Sequence, residues 1–260
     1  MNLIDQTDEA VIARAKKNWA DHQPKRAHSV TDYAYDNKGK YEGTCLRRQA
    51  YEWMAVEPEW SFVQPKHMYR AQFGDYVENF IIDLLKDNWK IERQKRLEIK
   101  AFELHNVIHG RIDDILTKWD EGAVPGEAKP KKTICLEVKS THGRKFVSKQ
   151  FGLKENGPDQ GHLNQLGMYK KWFPYEYDDV EYHLLYFSRE DFNRLVFIDG
   201  KNMVLPTEFD MKYWMVLEDY LSRKILPPRN YKTNSDKGKD EFPCSWCLYV
   251  GTCYELNKYV

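Results

Sequence analysis

Thr133-Ile134-Cys135-Leu136-Glu137-Val138-Lys139-Ser140 is the stretch on which the reading of this chain turns. It has the length and the β-branched, apolar make-up of a strand. Side chains two apart on a strand share a face, so Glu137 and Lys139 point the same way. A second run of the same kind, His109-Gly110-Arg111-Ile112-Asp113-Asp114-Ile115-Leu116, lies upstream. Residues 120–132 between them are rich in Gly, Pro and charge, as a long hairpin loop would be. Antiparallel pairing across that loop predicts that Asp113 meets Glu137. Two carboxylates and an ammonium then converge on one point. Hard oxygen ligands of this kind suit Mg²⁺ or Mn²⁺, and such an ion activates a water and steadies charge developing on phosphorus.

The surrounding pattern predicts an α/β chain. Residues 7–19 and 45–54 read as helices. Residues 71–89 form the clearest helix, with Phe73, Val77, Phe80, Ile81, Leu84 and Leu85 as an apolar stripe. Glu78 falls at the border of that stripe, one turn after Gly74, whose missing side chain leaves room beside the carboxylate. Residues 97–104, 181–187 and 194–199 read as further strands, and 159–173 and 206–223 as helices. The helix over 159–173 puts Gln165 and Tyr169 on one face at i, i+4. Residues 23–42 and 229–241 are polar and are expected to be irregular. No internal repeat and no phosphate-cradling G-x-x-x-x-G-K-[ST] loop occurs.

Composition excludes less than distribution does. The 260 residues carry 40 basic and 40 acidic side chains, so net charge points to no partner, and the length allows one large domain or two small ones. Between Lys129 and Lys154, however, there are eight Lys or Arg and one acidic residue, Glu137. Beside the carboxylates that stretch is the natural surface for nucleic-acid phosphates. The first twenty residues are charged throughout and lack a signal peptide's apolar core, and no apolar run reaches the roughly 18 residues of a membrane span. A cytoplasmic protein with no membrane partner is expected, and in that reducing compartment its five cysteines are not expected to form structural disulfides.

The cysteines carry a second signal. Cys244, Cys247 and Cys253 form C-x2-C-x5-C, and Cys45 lies far upstream. Cys135, inside an apolar run, reads as a small buried hydrophobe. The other four thiolates match either a cubane iron–sulfur cluster or a tetrahedral zinc, and spacing does not separate the two. Either metal would staple the two ends of the chain together, offsetting the entropy of closing so long a loop. The histidines at 67, 105, 109 and 142 read first as surface or hydrogen-bonded residues, and His142, three residues beyond Lys139, is the one to test for acid–base chemistry. Trp53, Trp60, Phe62 and Tyr69 read first as core or shielding for the cysteines, and second as stacking platforms for bases.

Gly74-x3-Glu78, Gly110-x2-Asp113, Glu137-x-Lys139 and Gln165-x3-Tyr169 occur in the order seen in RecB-type nucleases of the PD-(D/E)XK superfamily. With Cys45 and the C-terminal triplet, the chain resembles the iron–sulfur branch, which includes the AddB nuclease domain and the Cas-four exonucleases. The motifs run from Cys45 to Cys253. Many relatives carry His where Glu78 stands, and the proline of the motif's name is absent before Asp113.

The resemblance implies a restriction-endonuclease-like core with a mixed central sheet flanked by helices, and a metal-cluster subdomain joining the N- and C-terminal segments. It implies a single nuclease domain over 1–260, with its core near 70–200 and cluster segments near 41–60 and 225–260. Glu78, Asp113 and Glu137, with the Val138 carbonyl, would hold one or two Mg²⁺ or Mn²⁺ ions. Lys139 would orient or deprotonate the water or stabilise the transition state. Gln165 and Tyr169 would position the strand end or scissile phosphate, and Arg144, Lys145 and Lys149 would contact backbone phosphates. Cys45, Cys244, Cys247 and Cys253 would hold a [4Fe–4S] cluster in preference to zinc. The activity implied is a metal-dependent DNA exonuclease acting on ends or single strands, in recombination, repair or CRISPR-adaptation-like processing beside a helicase, recombinase or adaptation-complex partner. A sequence-specific endonuclease and a non-catalytic DNA-binding component are the alternatives.

Overall fold

A computed structural model describes residues 3–20, 27–33, 45–58, 60, 65–120, 122, 129–148, 152–173, 179–228, 244 and 247–255. The expected irregular stretch over 229–241, most of that over 23–42, and the middle of the loop over 120–132 lie outside the described residues. The chain gathers into two compact units, one of residues 27–43 and 73–211, the other of 1–26, 44–72 and 212–260.

The first unit is built on a six-stranded mixed sheet: β1 (His28–Ser29), β2 (Lys90–Ile99), β3 (Ile108–Lys118), β4 (Lys132–Thr141), β5 (Val180–Ser188) and β6 (Arg194–Ile198), in the order β1-β3-β4-β5-β6 with β2 also paired to β3. β3 and β4 are antiparallel, β4 and β5 parallel. From Thr133 to Val138 every residue of β4 is buried, which is why that strand reads as a near-continuous apolar run. Helices flank the sheet. α4 (Pro65–Leu85) lays Val77, Ile81 and Ile82 on Leu116, Ile134, Leu136, Val138, Leu185 and Phe187. α7 (Gln160–Trp172) meets the face carrying Tyr186, whose hydroxyl hydrogen-bonds His162 Nδ1 at 2.7 Å. The parallel β4–β5 connection passes through α7 and two single-turn helices, α5 (Arg144–Val147) and α6 (Leu153–Asn156). α2 (Val30–Tyr33) follows β1 directly.

Three sequence expectations need correction. The strand expected over 97–104 runs from Lys90 to Ile99; its half-exposed first part is a charged run without strand alternation, and so does not read as a strand. The helix expected over 206–223 begins at Lys212, because residues 206–210 take no helical turn and Pro206 is seated against Gly167, where a Cβ would lie 2.6 Å from the Pro206 carbonyl oxygen. Phe80 and Leu84 are exposed rather than in the core, and Ile82 takes a core place instead. An apolar stripe that wide cannot all face one sheet.

The second unit contains α1 (Leu3–Ala20), α3 (Leu46–Trp53), α8 (Lys212–Ser222) and α9 (Val250–Glu255). Tyr51 and Tyr249 pack with ring centroids 5.3 Å apart. Arg47 Nε donates to Tyr51 Oη at 3.1 Å and its Nη1 to the Pro227 carbonyl at 3.4 Å. Distant parts of the sequence thus share this unit. Among the described residues no helix is long and apolar enough to cross a membrane.

Candidate active site

The β3–β4 ladder runs from Lys118 opposite Lys132 to Asp114 opposite Leu136. One further residue along each strand sets Asp113 opposite Glu137, and there the Val138 amide donates to Asp113 Oδ2 at 3.3 Å. Beyond that point the strands part. β3 is next paired on this side by β1, at Ile108 and His109, so residues 110–113 have no strand partner there. A cleft of about 520 Å³ opens at the fork, with Asp113, Glu137, Lys139, Gln165 and Tyr169 in its walls.

Glu137 is fully buried. One oxygen accepts from Lys139 Nζ, and the other, Oε2, is buried with no hydrogen-bond partner. Leaving a buried carboxylate oxygen unmatched is costly, and a cation in the cleft would satisfy it. Burial pulls the Lys139 ammonium down, but Glu137, Asp113 and Glu78 outweigh it and hold the pKa above its usual value. Burial, then the charge of Glu137, pushes Asp113 up to about 8, against the opposing pull of Lys139 and the Val138 amide.

Glu78, expected beside these acids, stands on α4 and is not among the residues lining the cleft, though Asp113 and Lys139 feel its charge. Its Oε1 accepts from Arg93 Nη2 at 2.6 Å and Gln94 Nε2 at 2.8 Å. Its charge raises both Asp113 and Asp114. Arg93 also donates through Nε to the buried Asp114 at 3.2 Å, so one guanidinium bridges two acids. Gln94 is the residue absent from the β2–β3 register and has φ +54°, a left-handed conformation uncommon outside glycine. Local strain of this kind collects at functional sites. Gly74, expected to leave space beside Glu78, faces Ser140 instead, where an added Cβ would make an ordinary 3.6 Å contact.

On α7, Gln165 Nε2 donates to Tyr169 Oη at 3.0 Å, and Tyr169 Oη donates to the Arg111 carbonyl at 2.8 Å. This chain of bonds fastens the helix to β3. Gly110 permits it, since a Cβ there would lie 3.0 Å from Tyr169 Cε1. His162, one turn before Gln165 on the same stripe, feels Lys139, Lys145 and Asp159. Burial first, then Lys139, lowers it to about 3.

Of the other expected residues, Arg144, Lys145 and His142 are not among those lining the cleft. Arg144 is exposed on α5, Lys145 is paired with Asp159, and Lys149 lies outside the described residues. His142 is exposed and paired with Glu190. His109 is paired with Glu98 at 3.5 Å and does line the cleft. Trp60 donates to Glu57, and Tyr69 to Asp8. The side chains of His67 and Phe62 lie outside the described residues. Sequence reasoning passed over Arg93, Gln94, Asp114 and His162. The i, i+3, i+7 spacing of His162, Gln165 and Tyr169 could have revealed the last of these.

Cys135 is wholly buried on β4, and burial drives its thiol well above the usual value. Cys45, Cys247 and Cys253 lie in the second unit, where Cys45 feels the charge of Cys253, and Cys247 that of Cys45 and Cys253. Burial raises Cys45 and Cys247, while Arg48 lowers both. The Cys247 amide donates to the Cys244 carbonyl at 3.0 Å, closing a turn between the two. Mutually interacting, half-buried thiols beside an arginine suit a soft thiophilic metal. Among the described residues, no three His, Cys, Asp or Glu side chains are arranged as they stand to enclose a metal ion. At the fork the acids are instead engaged by Lys139, Arg93 and Gln94.

No protein-family model and no curated protein matches the sequence. Among solved structures the chain is similar to the crystal structure of SSO0001, at 19% identity over 94% of each chain with a TM-score of 0.51. That likeness concerns the fold, a mixed sheet flanked by helices.

Proposed function

We propose that this chain is a Mg²⁺- or Mn²⁺-dependent deoxyribonuclease of the PD-(D/E)XK, RecB-type kind, an exonuclease working on DNA ends or single strands. The observation that carries the reading is the fork itself. Asp113 and Glu137 stand opposite each other, with Lys139 beside them and a buried, unmatched Glu137 oxygen. Glu78, Asp113, Glu137 and the Val138 carbonyl would hold the ion, the hard-oxygen donor set that such cations prefer. A bound divalent ion lowers the pKa of water and neutralises charge at the attacked phosphate.

The side chains supply the rest. Lys139, whose pKa the neighbouring acids hold above its usual value against burial, would stand as an ammonium beside the scissile phosphate and stabilise its charge. Tyr169 is committed to the Arg111 carbonyl, so it positions Gln165 and β3 and does not donate to substrate. Gln165 keeps its carbonyl oxygen and one N–H for the strand end. Cys45, Cys244, Cys247 and Cys253 would hold a structural [4Fe–4S] cluster, with zinc as the other metal their donor set admits.

The test is a digest of end-labelled single- and double-stranded DNA with Mn²⁺, comparing wild type with Glu137→Ala. Loss of label from ends by wild type alone supports the proposal. Equal digestion by the variant, or no metal-dependent digestion at all, removes it. Discrete cuts in a covalently closed circle would replace it with the endonuclease reading.

A further inference from the structure

Arg96 on β2 and Arg111 on β3 are direct cross-strand partners, and both line the cleft. Like charges directly opposite one another on a sheet repel. Among the described residues neither guanidinium has a carboxylate partner. Glu98, on the next rung outward, is engaged with His109. Two arginines on one rung can both offer N–H donors to a single phosphate, and an anion between them would remove the repulsion.

The position of the pair gives it a role. Arg111 is two residues from Asp113, about 6.8 Å along the strand, a step similar to that between successive phosphates of an extended strand. Its backbone is fixed, because the Arg111 carbonyl accepts the Tyr169 hydroxyl and Gly110 lets that ring approach. The same cleft is lined by Ser29 and Thr31, whose hydroxyls lie 2.7 Å apart.

We propose that Arg96 and Arg111 form a phosphate-binding subsite that grips the phosphodiester next to the one being cut, so that the strand runs out of the fork along β2 and β3. The inference rests on the nuclease reading and deepens it: the preferred substrate is an oligonucleotide with at least two phosphates in the cleft. It also moves the principal backbone contact away from Arg144 and Lys145.

The experiment compares wild type, Arg96→Gln and Arg111→Gln on two substrates with Mn²⁺: an oligothymidylate and thymidine 5′-(p-nitrophenyl phosphate), which has no neighbouring phosphodiester. The expected result is a KM for the oligonucleotide raised about tenfold in either variant, the loss of one charge-assisted contact, with turnover of the small ester unchanged. A methylphosphonate placed next to the scissile bond should cost wild type a similar factor and cost Arg111→Gln little. Binding of fluorescein-labelled oligothymidylate in chelator should weaken likewise, with a salt dependence shallower by about 0.7 in log–log slope. Unchanged oligonucleotide KM and binding in both variants overturns the subsite, as does equal loss on the two substrates. If wild type cleaves neither substrate, the nuclease reading fails, while the binding comparison still decides whether the arginine pair holds phosphate.

Discussion

Lys139 donates its ammonium to Glu137, a carboxylate whose side chain is only 1% exposed. Removing one partner of a buried pair leaves the other charge uncompensated. Lys139→Met should therefore destabilise the metal-free protein by about 3 kcal/mol, read from urea unfolding in chelator. Added Mg²⁺ should restore part of that loss, since the ion supplies Glu137 with a counter-charge, yet activity should stay near zero. A variant as stable as wild type in chelator would show that Glu137 is neutral or otherwise paired.

Asp113→Asn should separate stability from activity. Asp113 is crowded by Glu137 and raised from an ordinary 3.8 to about 8. A group raised on folding gives stability that is full below the unfolded pKa and is lost as pH climbs through the folded one. Between pH 4 and 8 the wild-type carboxylate thus increasingly opposes folding without metal, and asparagine does not ionise. In chelator at pH 8 the variant should be the more stable by about 2 kcal/mol or more, while Mg²⁺ should stabilise only wild type. Nuclease turnover should fall about a thousandfold. Equal thermal shifts by Mg²⁺ in the two proteins would detach Asp113 from the ion.

The fork was legible because its residues interrupt patterns that otherwise belong to buried strands. Glu137 and Lys139 stand out in an apolar run, and a Gly/Pro-rich loop implied the antiparallel β3–β4 pairing that the structure contains. What could not be read is what long-range packing decides. Asp114 looks like a repeat of Asp113, yet alternation sends it to the α4 face, where Arg93 from another strand meets it. Arg93 itself sits in a charged run whose sequence resembles any solvated edge. Arg96 and Arg111 become a pair only through the β2–β3 register, which no local pattern fixes. The parallel partnership of β4 with β5 is likewise a matter of crossover, not of either strand's composition.

His162 should set the acid limb of stability. Its ring is held near a pKa of about 3 against an ordinary 6.5, by burial and then by Lys139. For a base lowered on folding, stability is complete above about pH 6.5 and declines as pH falls toward 3. The slope is at most about 1.4 kcal/mol per pH unit, and less here because the side chain is 29% exposed. Asp113 and Asp114 act in the opposite sense over this range, so the informative quantity is the difference between wild type and His162→Gln. That difference should grow in favour of the variant from pH 6.5 to 4.5 in chemical unfolding. A constant difference would mean that the imidazole charges freely in the folded protein.

The thiol set predicts a bound metal with a diagnosable identity. Anaerobically purified protein should be brown, with broad absorbance near ~400 nm from thiolate–iron charge transfer. Cys247→Ser and Cys45→Ser should each lose that absorbance and most of the iron, whereas Cys135→Ser should retain both, since Cys135 is wholly buried within β4. Colourless protein with one equivalent of zinc that falls in the same two variants would assign zinc to the site.

Gly110→Ala probes how tightly α7 must seat on β3. The added methyl would lie 3.0 Å from Tyr169 Cε1 and 3.1 Å from Val30 Cγ2, both tighter than an ordinary contact. Val30 is a fully buried, β-branched side chain with little freedom to turn aside. The ring of Tyr169 must then move, and with it the hydroxyl bonded to the Arg111 carbonyl. Overpacking of this size costs about 1–3 kcal/mol, so the variant should fold with a lower melting temperature. The displaced Arg111 should raise the oligonucleotide KM more than it lowers kcat, because Asp113, Glu137 and Lys139 keep their places. Restoring space with Gly110→Ala/Val30→Ala should recover stability and KM together. Recovery of neither would mean that the glycine serves the backbone of β3 itself and not the approach of the helix.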